Sequence, residues 1–296
     1  MPDFEKFIRE REAFADRYQK LLEGKIRSLQ YEMYLFLIDR VISVLEADSD
    51  GKIKFTTANT QKASKVIVAV REFNQERNKS FLSWLFRRLG DLFGLNRRYF
   101  SSFANKSETI DERVRRRLLL RYGYDTNANA IVPGGYLSAL STNDSIALDA
   151  YRFIKTALGT MSERKFKKEF RKLFIKPGGL GIVERYYNTF VRDLFMEFDR
   201  ETQHEYADEI GLKHAIFSGT AIETSRHFCL KRKMRIYTLE EINSWNSENW
   251  QGKRPGVDVK IALGGYNCRD HLSFISEALA KSLEDQYGEI NSFNPL

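Results

Sequence analysis

The sequence predicts an α+β protein, with a mainly helical region over residues 1–210 and a small C-terminal α+β module over residues 211–296. Three observations carry this expectation. Apolar residues recur at three- and four-residue steps through most of the first 210 residues. Beyond them come short polar–apolar alternations at 213–220, 235–238 and 257–263, which is the period of a strand. Gly252, Pro255, Gly256 and the pair Gly264-Gly265 then punctuate that last stretch with tight loops.

A chain of 296 residues, 42% apolar and 30% charged, has the material for one large or two modest cores, so disorder is not its default. The opening MPDFEKFIRERE has no apolar run of the signal-peptide kind, and no stretch of about eighteen uncharged apolar residues occurs. Neither export nor stable membrane insertion is predicted. Two cysteines suit a reducing cytoplasm. The net charge of +8 sits mostly in the helical region, where residues 1–210 carry 37 of the 48 Lys and Arg but 30 of the 40 Asp and Glu. That excess favours nucleic acid or an acidic protein surface as a neighbour, without implying that a sequence is read.

Residues 3–46 are predicted as one or two long helices, because Phe14, Tyr18, Leu22, Ile26, Leu29, Met33, Leu37, Val41 and Val44 share one face. Gly24 is a candidate break, and Asp48-Ser-Asp-Gly51 reads as a turn whose glycine comes too early for a calcium loop. A second helix is expected from Thr57 or Asn59 through Asn78. The following apolar segment, residues 81–95, sets Trp84, Phe86 and Phe93 around Arg87, Arg88 and Asp91. Such a segment needs a partner, and the readings are a membrane surface, a protein interface, or burial in its own domain, which close-packing glycines at 90 and 94 favour. A further helix opens near Ser107 and carries Arg115, Arg116 and Arg117, which with the aromatics before them are candidates to contact nucleic acid or an acidic partner, a solvated basic face being the plainer reading. Residues 123–142, with Pro133-Gly134-Gly135, form the longest loop and a candidate subdomain break.

Helical patterning resumes over 145–158 and 162–174. In the latter, Phe166, Phe170, Leu173 and Phe174 share a face while Arg164, Lys165, Lys167, Lys168, Arg171 and Lys172 cover the rest. This is the densest basic surface of the chain, and a DNA backbone, an acidic partner or plain solvent would each satisfy it. Lys176-Pro-Gly-Gly179 stops that helix, and a long helix follows from Gly181 to about Ala207. In the C-terminal module, Thr238 with Glu241 three residues on forms a capping-box start for a short helix through Trp245. A closing helix is expected over 272–287, then a polar tail of nine residues.

Within the C-terminal module, residues 218–271 hold both cysteines and two of the four histidines. His227, Cys229, Cys268 and His271 are residue types that zinc accepts, and a closed site would staple a small module. Free thiols with surface histidines are the plainer reading, and a Cys229–Cys268 disulfide would need an oxidising setting. An acid/base pairing of one of these histidines with a cysteine or glutamate would make a hydrolase or nuclease. No P-loop, nucleophile elbow, dinucleotide loop or HExxH pattern accompanies it.

Thr224-Ser-Arg-His-Phe-Cys229, Tyr237-Thr-Leu-Glu-Glu241, Trp250-Gln-Gly-Lys253 and Gly264-Gly-Tyr-Asn-Cys-Arg269 together resemble the C-terminal domain of the phage Mu F-like minor head proteins, the head-morphogenesis family. The Asp-His that follows Asn-Cys-Arg departs from the family's commoner endings. The resemblance covers about the last quarter of the chain. It implies a minor structural protein of a tailed-phage head, incorporated in few copies during procapsid assembly. It implies as partners the portal protein, scaffold or major capsid protein, with packaged double-stranded DNA as a further neighbour. The chain would reside in the virion, in the head interior or at the portal vertex, after assembly in the host cytoplasm. Arg226, Trp250, Lys253 and Arg269 are then interface residues, as Trp and Arg suit contact centres. No cofactor beyond a structural zinc is expected. The alternatives from other classes are a C-terminal nuclease or toxin-like hydrolase, and a stand-alone nucleic-acid-binding protein.

Overall fold

A computed structural model of the chain describes residues 4–103, 108–125, 130–133, 138, 144–176, 178–219 and 221–287. It is mainly helical with a small C-terminal sheet, as the sequence predicts. Helix α1 runs unbroken from Phe4 to Leu37 and ends in a π turn, Ile38–Ile42. Gly24 does not interrupt it. A side chain there would meet nothing, so the glycine answers no packing need. The predicted face is buried from Tyr18 to Val41, and only Val44 of that series is exposed. Asp48 Oδ1 accepts from the amides of Asp50 and Lys52, which makes the following segment a side-chain-closed turn rather than an ion loop.

Helix α2 spans Thr57–Phe100, joining the two segments that the sequence analysis separates. Asn59, fully buried at its start, bonds the amide of Glu46 and the carbonyls of Glu46 and Lys54. The apolar segment is a core helix: Leu82, Leu85, Leu89, Leu92 and Phe93 are buried. Helix α3 (Glu108–Arg121) leads into a two-stranded ribbon of β1 (Tyr124–Asp125) and β2 (Ala130–Ile131), inside the stretch expected to be loop. Most of that expected break, and the nine-residue tail, lie outside the described residues. Helices α4 (Ser145–Ala157) and α5 (Glu163–Phe174) follow. Ser162 caps α5 by accepting from the amide of Lys165. Phe166, Phe170 and Phe174 are fully buried with Phe153 beside them, each contributing about 1.5–3 kcal/mol by transfer from water.

Helix α6 (Ile182–Ile210) precedes the C-terminal sheet. Strand β3 (His214–Ser218) lies between β4 (Arg235–Thr238) and β5 (His271–Ile275), antiparallel to both, with Ile216 opposite Ile236 and Ser273. The third expected strand is in error. Residues 257–263 hold a short helix, α9 (Val259–Ala262), because Asp258 caps it from the amide of Lys260 and ends the alternation. The strand is β5, expected as helix: all five of its residues are buried, so no polar face marks it. Between β3 and α9 in the chain lie α7 (His227–Leu230) and α8 (Leu239–Ser244), one on either side of β4. Thr238 and Glu241 form the predicted capping box on α8. Helix α10 (Glu277–Tyr287) closes the described chain.

Two compact units emerge, and neither follows the division expected at residue 210. One takes Met1–Tyr18, Arg87–Arg121 and Val191–Leu296, and the other Gln19–Phe86 and Tyr122–Phe190. The C-terminal module is therefore counted with three earlier helical segments, because those segments fill its core and bond its buried polar groups. Among the described residues no helix is long and apolar enough to cross a membrane.

Candidate functional site

The two cysteines converge from opposite ends of the module. Cys229 is presented by α7, and Cys268 by the turn that follows α9. Leu263 (φ 43°, ψ −117°) and Asn267 (φ 58°) sit in sparsely populated backbone regions on that turn. Gly264 lies between them, and any side chain there would collide with Cys229 Sγ. Both thiols are free and buried, with Sγ atoms 4.0 Å apart. Asp270 Oδ2 lies 3.5 Å from Cys268 Sγ, and all three donor atoms fall within 4.8 Å of one another. They floor a cleft of about 230 Å³ whose walls include Thr224, Ser225, Arg226, Tyr266, Asn267 and Arg269. The Cys229 thiol is raised above its ordinary value by its hydrogen bond to Cys268 and by burial. Cys268 is lowered by that same bond, and the Arg200 charge assists against burial.

Beneath the cleft lies a buried polar layer that no local pattern announces. Arg200 on α6 donates to the carbonyls of Asp270 (2.9 Å), Ile261 (2.8 Å) and Cys268 (2.7 Å), pinning the cysteine turn from inside. Its neighbour Asp199 accepts from Arg11 Nε (2.8 Å) and Asn96 (2.9 Å) and meets His271 Nδ1 at 2.7 Å. Arg11 continues to Ser273 Oγ (2.9 Å), and Tyr99 reaches the carbonyl of Phe274 (2.6 Å). Burial alone would raise the Asp199 pKa, but the charge of Arg11 and the bond from His271 bring it well below the carboxylate range. Burial, together with Arg11, lowers the pKa of His271, so the imidazole is held neutral and donates from Nδ1. Lys233 Nζ meets Asp270 Oδ1 at 2.9 Å and donates to the carbonyl of Gly219.

No family model, curated protein or solved structure matches this chain.

The four-ligand zinc set expected from the sequence is not brought together. His227 is exposed, and the Nδ1 of His271 is committed to Asp199. Asp270 joins the cysteines in their place, and a single carboxylate carries no distinctive spacing that would mark it in the sequence. Arg11, Asn96, Asp199 and Arg200 are likewise unmarked by any motif of the sequence. The one local signal is the charged run Asp199-Arg-Glu201 on an otherwise buried helix, since buried charge must find partners.

The residues expected at an interface are mostly occupied inside the module. Arg226 donates to the carbonyls of Gln251 (3.0 Å) and Tyr266 (2.8 Å). Trp250 donates to Gly264 (3.0 Å) and stacks on Phe228 at 3.9 Å. Lys253 donates to the carbonyls of Asn246 and Glu248. Arg269 stays half-exposed on the cleft wall. Phe93 is buried against Tyr206, and Trp84 and Phe86 are half-buried beside Phe81 and Tyr124. Packing within the fold claims all three, so none stands out as a docking side chain.

The basic surfaces differ from each other. On α3, Arg113, Arg117 and Arg121 pair with Glu209, Glu205 and Glu201 of α6 in an antiparallel ladder, which removes Arg117 from the expected nucleic-acid set. Arg115 and Arg116 remain exposed. On α5, Lys167 pairs with Glu163 and Lys172 with Glu169, whereas Arg164, Lys165, Lys168 and Arg171 are exposed with no ion pair among the described residues. Arg164, Lys168 and Arg171 stand at i, i+4 and i+7, one stripe opposite the phenylalanine face.

Proposed function

We propose that this chain is a minor structural protein of a tailed-phage head, built into the procapsid in few copies beside the portal or scaffold, with the α5 basic stripe turned toward packaged DNA. The reading rests on the resemblance of the four C-terminal motifs to the Mu F-like family. One observation in the fold supports it most. Those motifs, spread over residues 224–269, meet in one module where their characteristic side chains brace loops: Arg226, Trp250 and Lys253 each donate to backbone carbonyls. Residues used this way build a shape for docking rather than a reacting centre. The catalytic alternative needs His227 or His271 beside a cysteine or a glutamate. Among the described residues the thiols bond each other and Asp270, and His271 bonds Asp199.

The deciding experiment is quantitative mass spectrometry of purified particles and procapsids from the source, counting this chain against the major capsid protein. A few copies in both is the expected result. Absence from both would overturn the reading.

A further inference from the structure

We propose that Cys229, Cys268 and Asp270 form a binding site for a thiophilic divalent cation, zinc by its donor set, with the fourth coordination position open to the 230 Å³ cleft. The site does not rest on the head-assembly reading. Its geometry carries it. A tetrahedral zinc with Zn–S near 2.3 Å and Zn–O near 2.1 Å holds its sulfurs about 3.8 Å apart and each sulfur about 3.6 Å from the oxygen. The chain sets the sulfurs 4.0 Å apart and Cys268 Sγ 3.5 Å from Asp270 Oδ2. Two edges of the ligand triangle therefore stand within a few tenths of an ångström of the bound geometry.

The surroundings are those of a supported site. Arg200 grips the carbonyls of Cys268 and Asp270 from within the core, fixing both ligands on their shared turn. Lys233 takes Asp270 Oδ1 and leaves Oδ2 directed at the thiols. Gly264 keeps side-chain atoms out of the space the sulfurs share, and Arg226 braces the start of α7 through Gln251 and Tyr266. Two thiolates and a carboxylate make a soft, anionic set in which a thiol-preferring ion replaces the protons. Three protein ligands leave a position for water or for an oxygen donor brought by a partner, and Thr224, Ser225 and Asn267 line its approach.

The test uses the full chain, purified under reducing conditions with any affinity tag removed. Elemental analysis after extensive desalting is expected to find one zinc per chain. Cobalt(II) replacement is expected to give tetrahedral visible bands and a near-ultraviolet charge-transfer band of two-thiolate intensity. Cys229→Ser, Cys268→Ser and Asp270→Asn should each weaken zinc by about 100-fold or more, beyond what outer-shell changes cost. His227→Ala should leave affinity unchanged. Should the cysteine variants not fold, the cobalt spectrum of the unaltered chain decides alone. No stoichiometric zinc or cobalt in chain whose two thiols titrate as free would overturn the proposal, as would a cobalt spectrum without thiolate ligation or one that His227→Ala abolishes.

Discussion

At the scale of single residues, burial decides what each ionisable group does. His271 carries an ordinary imidazole, yet enclosure beside Arg11 lowers its pKa below 6.5, and its bond to Asp199 does not restore it. The sign follows directly. The unfolded chain binds a proton near pH 6.5 that the folded chain refuses, so stability is complete above that value and declines as pH falls toward the folded pKa. His204, lowered by burial, adds a second contribution of the same sign. Thermal or urea stability should therefore fall between pH 7 and 5, with up to about 1.4 kcal/mol per pH unit from each group. His271→Asn should keep only the His204 share of that slope. An unchanged slope in the variant would show that the imidazole titrates normally.

At the scale of elements, the ladder between α3 and α6 shows why a run of arginines is ambiguous in sequence. Arg115, Arg116 and Arg117 are adjacent in the chain, but a helix turns each by about 100°, so only Arg117 meets α6. Its carboxylate partners keep partial exposure, and Arg117→Ala should cost less than about 1 kcal/mol. The carboxylate of Glu201 is 2% exposed, so Arg121→Ala should cost about 1–3 kcal/mol by removing a partner of a buried charge. Urea denaturation of the two variants separates these outcomes. Equal small losses would mean that Glu201 is solvated in solution. The α5 stripe was legible in advance because its period and its phenylalanine face sit in one unbroken helix.

At the scale of the whole molecule, the C-terminal module is finished by residues far from it in the chain. Its strands β3 and β5 are fully or almost fully buried, and Arg11, Tyr99 and Arg200 supply donors to backbone and side-chain groups of residues 261–274. A fragment of residues 211–296 alone should show no cooperative thermal or urea transition, whereas the full chain should show one. A cooperative melt of the fragment would mean that the module completes its own core. Sequence by itself determined what repeats locally: the fold class, the long amphipathic helices, the capping box at Thr238 and the exposed basic stripe of α5, each set by periods of a few residues. Only the tertiary structure decided that Asp270 replaces two histidines beside the cysteines, and that Arg11 and Asp199 underlie them. It also decided that β5 is a strand with no polar face. The reason is physical, since a buried charge or a fully covered strand is stabilised by partners up to 262 positions away, and no local pattern records them.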